Sequence, residues 1–253
     1  MHLDHVALAT RDATPALHVL VGELGAHILS GGHAVGFRPM QVFLGDRRSG
    51  MKIELLEPWD FAQNDFLDRF LTRHGEGAHH LTFKVADLEA TIDRVRGLGY
   101  SPIGIELSDP IWREAFLTPK EAHGTVVQLA ESSSPYGSPL EEFAGYCEHG
   151  PGGDPMWWPG DLVRAESTAW LRRVVLRTPT LRATSDFYTT VLDGIVEESE
   201  DRSVSLVWPG GGRIRLEEHR DAEPGVDRLE VDGPGPERVL TVAGARIAVM
   251  PQS

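Results

Sequence analysis

The sequence predicts an α+β fold made of tandem βαβββ modules that pair into two domains. Alternating apolar segments typical of strands and amphipathic segments typical of helices follow one another in a fixed order, and that order recurs along the chain. The length of 253 residues suits two domains of about 120 residues each. We therefore predict one domain over 1–131, a linker over 132–168 and a degenerate second domain over 169–253.

The first module begins with LDHVALAT (3–10), whose alternation and β-forming residues predict a strand. Helical spacing over 14–28 predicts a helix, and a Gly-Gly turn follows it. Two strands are predicted over 36–46 and 50–58, with a polar turn between them. A short helix is then expected over 64–75.

The same order restarts at AHHLTFKV (78–85), which reads as a strand. An acidic first turn and a glycine stop predict a helix over 87–99. Strands are predicted over 100–107, 112–119 and 124–131. This internal self-similarity is stronger evidence for the fold than any single propensity.

The linker is rich in Gly and Pro and carries Trp157 and Trp158, which either anchor it to a domain or cover a ligand site. After the linker, the module recurs in a degenerate form. WLRRVVLRT (170–178) aligns by pattern with HLDHVALAT (2–10), a helix is expected within 180–196, and a strand, glycine turn and strand within 203–219. A shortened fourth copy is predicted from 225–234, ending in ARIAVMP.

Composition excludes several classes of protein. The formal charge is −14, from 24 Lys and Arg against 38 Asp and Glu, which argues against a nucleic-acid-binding surface. No segment approaches the roughly 20 apolar residues of a membrane span, and no signal peptide is evident. Cys147 is the only cysteine, so no intrachain disulfide can form. We expect a soluble cytoplasmic protein that binds a small molecule and could form a homodimer.

Two matched pairs of polar residues predict a divalent metal site. His5 and Glu54 lie on the first and last strands of the first module, 49 positions apart. His80 and Gln128 lie on the corresponding strands of the second module, 48 positions apart. If the modules pack about a pseudo-two-fold axis, the four side chains meet there, and His80 faces them while His79 faces away. Imidazole, carboxylate and amide oxygen are suitable ligands.

DHVALAT, KIELLEP, the HH pair and WREAFLTPKEAHGTVVQLAE together resemble the vicinal oxygen chelate superfamily, which includes glyoxalases, bleomycin-resistance proteins and extradiol dioxygenases. The methylmalonyl-CoA epimerase branch is the most similar, over residues 2–131. This resemblance implies that His5, Glu54 and His80 are metal ligands. It also places Gln128 where the superfamily usually has a Glu that is both ligand and proton-transfer base.

Gln128 departs from that pattern, because an amide can bind a metal but cannot accept a proton at neutral pH. Glu54 could then be the base. Alternatively, two histidines and one carboxylate leave open positions, which suits Fe(II) oxygen chemistry. The expected cofactor is one divalent ion among Co, Zn, Ni, Mn and Fe(II). Glu54 and Gln128 are the candidate catalytic residues.

Other residues have weaker assignments. Glu114 and Lys120 flank the last hairpin of the first half, and Lys120 could contact a phosphate or carboxylate of the substrate. Trp157 of the linker is a second candidate for substrate binding, as part of a lid over the ligand site. His79 and His123 are expected at the surface or behind the ligands. In the second half, Arg173, Arg215 and Arg228 align with the three ligands, and because arginine cannot bind a cation we expect no metal there.

The sequence thus predicts a metal-dependent isomerase or epimerase that stabilises an enolate of a small 2-oxo acid or acyl-CoA-like substrate. An Fe(II)-dependent dioxygenase or a lyase is the alternative enzyme. The alternative from another class is a binding or resistance protein that sequesters a small molecule. The combination of His5, Glu54 and His80 favours an enzyme.

Overall fold

The computed structural model of the protein describes residues 1–46, 50–132 and 160–252. Fifteen strands in two mixed sheets and a few helices make up this part of the chain, which confirms the predicted α+β fold class. The strands are β1 His2–Ala9, β2 His27–Gly31, β3 Phe37–Gly45, β4 Gly50–Pro58, β5 Gly77–Lys84, β6 Ile103–Glu106, β7 Trp112–Leu117, β8 Val126–Ser132, β9 Trp170–Thr178, β10 Ile195–Glu200, β11 Ser203–Val207, β12 Arg213–Glu218, β13 Gly225–Gly233, β14 Arg238–Val242 and β15 Ala245–Pro251.

The described helices are α1 Thr14–Leu17, a π-helical turn His18–Glu23, α2 Phe66–His74, α3 Leu88–Gly97 and α4 Leu181–Thr190. Each of the first three modules therefore has a strand, a helical segment and three strands, as the repeat predicts. The fourth has three strands, β13 to β15, and no described helix between them. None of the described helices combines the length and apolar character required to cross a membrane.

The predicted helix over 14–28 is wrong at its C-terminal end. The backbone changes to a π-helical pattern, in which the Leu24 amide donates to the Val19 carbonyl, and His27 and Ile28 begin β2. Gly25 ends the helix with a φ of +66°, a conformation that glycine adopts without strain. Any Cβ at Gly25 would also overlap the Ser167 carbonyl, so only glycine fits there.

The first sheet has eight strands in the order β2-β3-β4-β1-β5-β8-β7-β6, and the second has seven in the order β10-β11-β12-β9-β13-β15-β14. In three of the modules the first strand is parallel to the last, namely β5 with β8, β9 with β12 and β13 with β15. The two orders correspond, apart from the strand that the fourth module lacks. A parallel pair of this kind places the first and last strands of a module side by side.

The described chain divides into two compact units. One contains the first five residues, most of β5, β6 to β8, most of β9, β10 to β12 and the start of β13. Its core is aromatic: Phe83 packs edge-on against Trp208, and Tyr188 packs against Phe187. The other contains the rest of β1, β2 to β4, the first residues of β5 and β9, the rest of β13, and β14 and β15. Part of its core lies where α2 covers the alanines of β1 and Leu56 of β4. The predicted domain boundaries at 131 and 169 stay a prediction.

Candidate metal site

Three buried side chains form a compact group of potential metal ligands. His5 of β1, Glu54 of β4 and His80 of β5 are 1%, 8% and 5% exposed. Each offers a ligand atom, and these three atoms all lie within 4.8 Å of one another. In the part of the chain that the structure describes, this is the only such group of three His, Cys, Asp or Glu residues. Their metal-binding role stays a prediction, but the structure brings together the three residues that the spacing selected.

Strand alternation explains why His80 joins this group. On β5, His80, Thr82 and Lys84 share one face, whereas Leu81 and Phe83 face the aromatic core. The His80 ring lies 5.7 Å from the His5 ring, centroid to centroid. The neighbouring His79 instead packs against Phe70 of α2, at 4.5 Å.

Burial lowers the pKa of His79 to about 4, although the charge of Glu54 opposes this shift. His79 is therefore neutral at pH 7. Its aromatic contacts, with Phe66 as well as Phe70, identify it as a packing residue. His123 also packs, against Phe187, and its ring nitrogen contacts the Thr184 hydroxyl at 3.2 Å.

A chain of hydrogen bonds links His5 to Gln128. Asp4 Oδ2 lies 2.7 Å from His5 Nδ1, and the Thr82 hydroxyl lies 2.9 Å from His5 Nε2. The same hydroxyl donates to Gln128 Oε1 at 2.5 Å. Because a carboxylate only accepts hydrogen bonds, Asp4 holds a proton on Nδ1, and Nε2 is the ring nitrogen that His5 would offer to a metal in place of its contact with Thr82. A carboxylate behind a ligating histidine fixes the ring orientation and the tautomer in many metal sites.

Gln128 is 6% exposed, and its oxygen lies beside the ligand group because it shares the Thr82 hydroxyl with His5. The parallel register of β5 and β8 pairs Thr82 directly with Gln128, which places both on one face. Gln128 Nε2 donates to Glu114 Oε2 at 2.6 Å. The fourth predicted residue therefore joins the same network, as an amide oxygen.

Glu54 is oriented by a residue on the neighbouring strand, β3. Gln41 pairs directly with Glu54 across β3 and β4, and its Nε2 donates to Glu54 Oε1 at 3.1 Å. Lys84 extends the polar face of β5. Its Nζ lies 3.7 Å from Asp4 Oδ1 and 5.8 Å from the Trp112 ring centroid. Lys84 is only 5% exposed. The buried carboxylate and the aromatic face compensate the free-energy cost of burying its charge.

Sequence reasoning missed Asp4, Gln41, Thr82, Lys84 and Trp112. Period-two alternation was a usable signal for Thr82 and Lys84, which follow His80 at two-residue steps on one strand. Of the weaker assignments, Lys120 is exposed in the turn after β7. Trp157 lies outside the described residues, so its predicted contact with substrate has no structural description.

In the second sheet, two of the three aligned arginines, Arg215 and Arg228, form ion pairs. Arg215 Nη2 lies 2.8 Å from Glu200 Oε2 and donates to the Ser203 hydroxyl at 2.8 Å. Arg228 makes two hydrogen bonds to Glu217, at 2.9 and 3.0 Å. Within residues 160–252, no group of three potential ligands occurs.

Residues 4–116 match the family model described as the Glyoxalase/Bleomycin resistance protein/Dioxygenase superfamily. The match confirms the predicted resemblance, and it contains His5, Glu54 and His80 but ends before Gln128. No curated protein matches the chain.

A solved structure shows a similar fold, and two others match about half of the chain. A hypothetical protein from Staphylococcus aureus is 11% identical, with a TM-score of 0.67 over 99% of each chain. A methylmalonyl-CoA epimerase from Mycobacterium tuberculosis is 26% identical over 52% of this chain and 88% of its own, with a TM-score of 0.46. A hypothetical protein from Bacillus halodurans is 27% identical over 53% of this chain and 95% of its own, also with a TM-score of 0.46.

Proposed function

We propose that this protein is a metal-dependent isomerase or epimerase that acts on a small 2-oxo acid or an acyl-CoA-like substrate. The observation that carries the proposal is the buried group formed by His5, Glu54 and His80. Burying ionisable side chains costs free energy unless they are paired or bind a metal. A protein that only sequesters an organic molecule has no need for such a group, whereas metal-assisted enolate chemistry uses one.

The donor set fits a divalent transition metal. Two imidazoles and one carboxylate are ligands for Zn, Co, Ni, Mn and Fe(II), and the amide oxygen of Gln128 adds a fourth donor of the same kind. When bound, such an ion supplies Lewis acidity towards two neighbouring oxygens of a substrate and so stabilises an enolate. Asp4 supports this set, because it contacts Nδ1 of His5 and so leaves Nε2 as the nitrogen for the metal.

Glu54 is our candidate for the proton-transferring group. It is the only member of the ligand group that can accept a proton from carbon while the histidines remain ligands. Gln41 binds one of its oxygens, Oε1, and so orients the carboxylate. Gln128 cannot replace it, because an amide takes no proton at neutral pH. Its proposed catalytic contribution is to bind and orient.

An Fe(II)-dependent dioxygenase is the second candidate, and the same donor set supports it. Two histidines and one carboxylate with open positions also bind Fe(II) in oxygenases. This candidate requires that Gln128 leave an open position, whereas the isomerase tolerates a fourth protein ligand. The cytoplasm and a possible homodimer stay the predicted location and assembly, on the sequence grounds given above.

Isotope exchange distinguishes the two candidates. The full chain, loaded in turn with Co, Zn, Ni, Mn or Fe(II), is incubated in D₂O with a panel of 2-oxo acids and acyl-CoA thioesters. An isomerase or epimerase incorporates solvent deuterium at the carbon next to the carbonyl without consuming oxygen. Oxygen uptake that depends on iron, without deuterium incorporation, would reject the leading proposal. Ligand binding without either signal would favour a sequestering protein.

A further inference from the structure

Glu114 and Gln128 form a partly buried contact that the predicted mechanism does not use. They lie on the antiparallel strands β7 and β8, on one face, where Glu114 pairs with Ala130 and Gln128 with Phe116. Their side chains meet diagonally, and Gln128 Nε2 donates to Glu114 Oε2 at 2.6 Å. Charge-assisted hydrogen bonds of this length are among the stronger ones in proteins.

This contact decides which end of the Gln128 amide faces the candidate metal ligands. A carboxylate only accepts hydrogen bonds, so it binds the NH₂ end of an amide. The oxygen must then point the other way, where it accepts a hydrogen bond from Thr82. Thr82 cannot fix this orientation alone, because a hydroxyl donates or accepts equally well.

Glu114 is itself held in place. Trp112 Nε1 donates to the same oxygen, Glu114 Oε2, at 3.0 Å. Two donors on one carboxylate oxygen restrict the rotation of the side chain. The orientation of Gln128 thus rests on a rigid neighbour on the adjacent strand.

We propose that Glu114 is a positioning residue that turns the Gln128 oxygen towards the metal and so makes Gln128 a ligand. This inference rests on the proposed metal-dependent function. An amide oxygen binds cations, whereas an amide nitrogen in the same place presents two N–H groups and repels them. Glu114 therefore acts through Gln128, as an acceptor. Its negative charge is not required for this role.

The inference also accounts for the departure at position 128. The superfamily resemblance places a carboxylate there, which has oxygen at both ends and requires no orienting partner. An amide in that place requires one, and Glu114 provides it from the adjacent strand.

The test is a set of full-length variants titrated with Co(II) in the absence of substrate. Glu114→Leu should weaken Co(II) binding about 10–100-fold, as is usual for residues that orient a ligand. Glu114→Gln should remain within about 3-fold of the wild type, because its oxygen can still accept from Gln128. Gln128→Leu should lose as much as Glu114→Leu, and the double variant should lose no more than Gln128→Leu. Glu106→Leu, on the exposed face of β6, is the matched control.

The visible spectrum of bound Co(II) gives a second readout, since it reports the number and kind of ligands. Glu114→Leu and Gln128→Leu should shift it in the same way, and Glu106→Leu should not shift it. Wild-type affinity in Glu114→Leu, equal losses in Glu114→Gln and Glu114→Leu, or additive losses in the double variant would each overturn the inference. If Glu114→Leu does not fold, Glu114→Ala, which also removes the acceptor, replaces it in every comparison. Absence of Co(II) binding by the wild type would instead reject the proposed function.

Discussion

The two sheets have corresponding strand orders but different polar side chains at the aligned positions. In the first sheet, the faces of β1, β4 and β5 carry His5, Glu54 and His80, which form one ligand group. In the second sheet, the aligned positions carry arginines, and Arg215 and Arg228 bind glutamates of their own sheet. The fold therefore tolerates either chemistry, and the chemistry depends on a few side chains that the scaffold presents.

An ion pair with reversed charges shows the same difference between the two sheets. Asp4 and Lys84 lie 3.7 Å apart in the first sheet. The aligned residues Arg172 and Asp232 lie 3.5 Å apart in the second, with the charges reversed. In the first sheet, Asp4 orients the histidine beside it, His5. In the second sheet, Arg173 occupies the position of His5, so the aligned ion pair has no histidine beside it to orient. Conservation of a pair's geometry therefore does not imply conservation of its role.

The largest expected effect is that of Glu54→Gln on catalysis. The variant keeps an oxygen donor but has no proton acceptor, so isomerase activity should fall about 10²–10⁴-fold while some metal is retained. Deuterium exchange and metal content, measured on the same preparation, test this. The matched control is Glu217→Gln in the second sheet, which should keep the activity. Unchanged exchange in Glu54→Gln would remove Glu54 as the base.

Asp4→Asn should weaken metal binding about 10–100-fold. The amide interacts more weakly with the His5 ring and no longer fixes its tautomer, so Nε2 is presented less often to a metal. Competition with a chelating dye measures the affinity. Asp232→Asn, which disrupts the aligned ion pair in the second sheet, is the control and should bind as the wild type does. Equal weakening in both variants would indicate a general loss of stability.

Arg228→Ala should affect stability and leave metal binding unchanged. The variant removes two hydrogen bonds to Glu217, at a cost of about 1–3 kcal/mol in the free energy of unfolding. Urea denaturation of the metal-free protein measures this cost. A loss of bound metal without a loss of stability would contradict the division of roles between the sheets.

The smallest effect concerns acid stability. The hydrogen bond from Arg228 lowers the pKa of Glu217 below its ordinary value of 4.5. A lowered folded-state pKa stabilises the protein above the ordinary value, and this contribution is lost as the pH falls through the folded value. Glu217→Gln should therefore make the unfolding free energy less dependent on pH below about pH 4.5. An identical pH dependence in both proteins would show that the contact contributes nothing.

Much of the fold was predictable because its strands alternate strongly. GMKIELLEP was predicted as a strand over 50–58, and β4 has those bounds. Two edge or near-edge strands, β10 and β14, were missed. All six residues of β10 are exposed, and four of them are polar or charged, so its sequence lacks the alternation of a half-buried strand. β2 was missed because its apolar spacing continues that of the preceding helix until Gly25 ends it.

In the candidate site, only the residues selected by sequence spacing were predictable. Matched spacing in the repeat selected His5, Glu54, His80 and Gln128, since equal positions in equal modules lie in equal places. The residues that support them depend on contacts across strands. Thr82 meets His5 across 77 positions of sequence, and Gln41 meets Glu54 through the register of a hairpin. No local pattern encodes such pairs.

The central claim is that the first sheet holds one metal ion and the second holds none, and the stoichiometry of tightly bound metal tests it most directly. The full chain, stripped with a chelator and equilibrated with Co(II), is analysed for metal per chain beside His5→Ala, His80→Ala and the exposed control His219→Ala. We expect one ion per chain in the wild type and the control, and well below one in the two ligand variants. Full occupancy in both ligand variants, or two tightly bound ions per wild-type chain, would contradict the account.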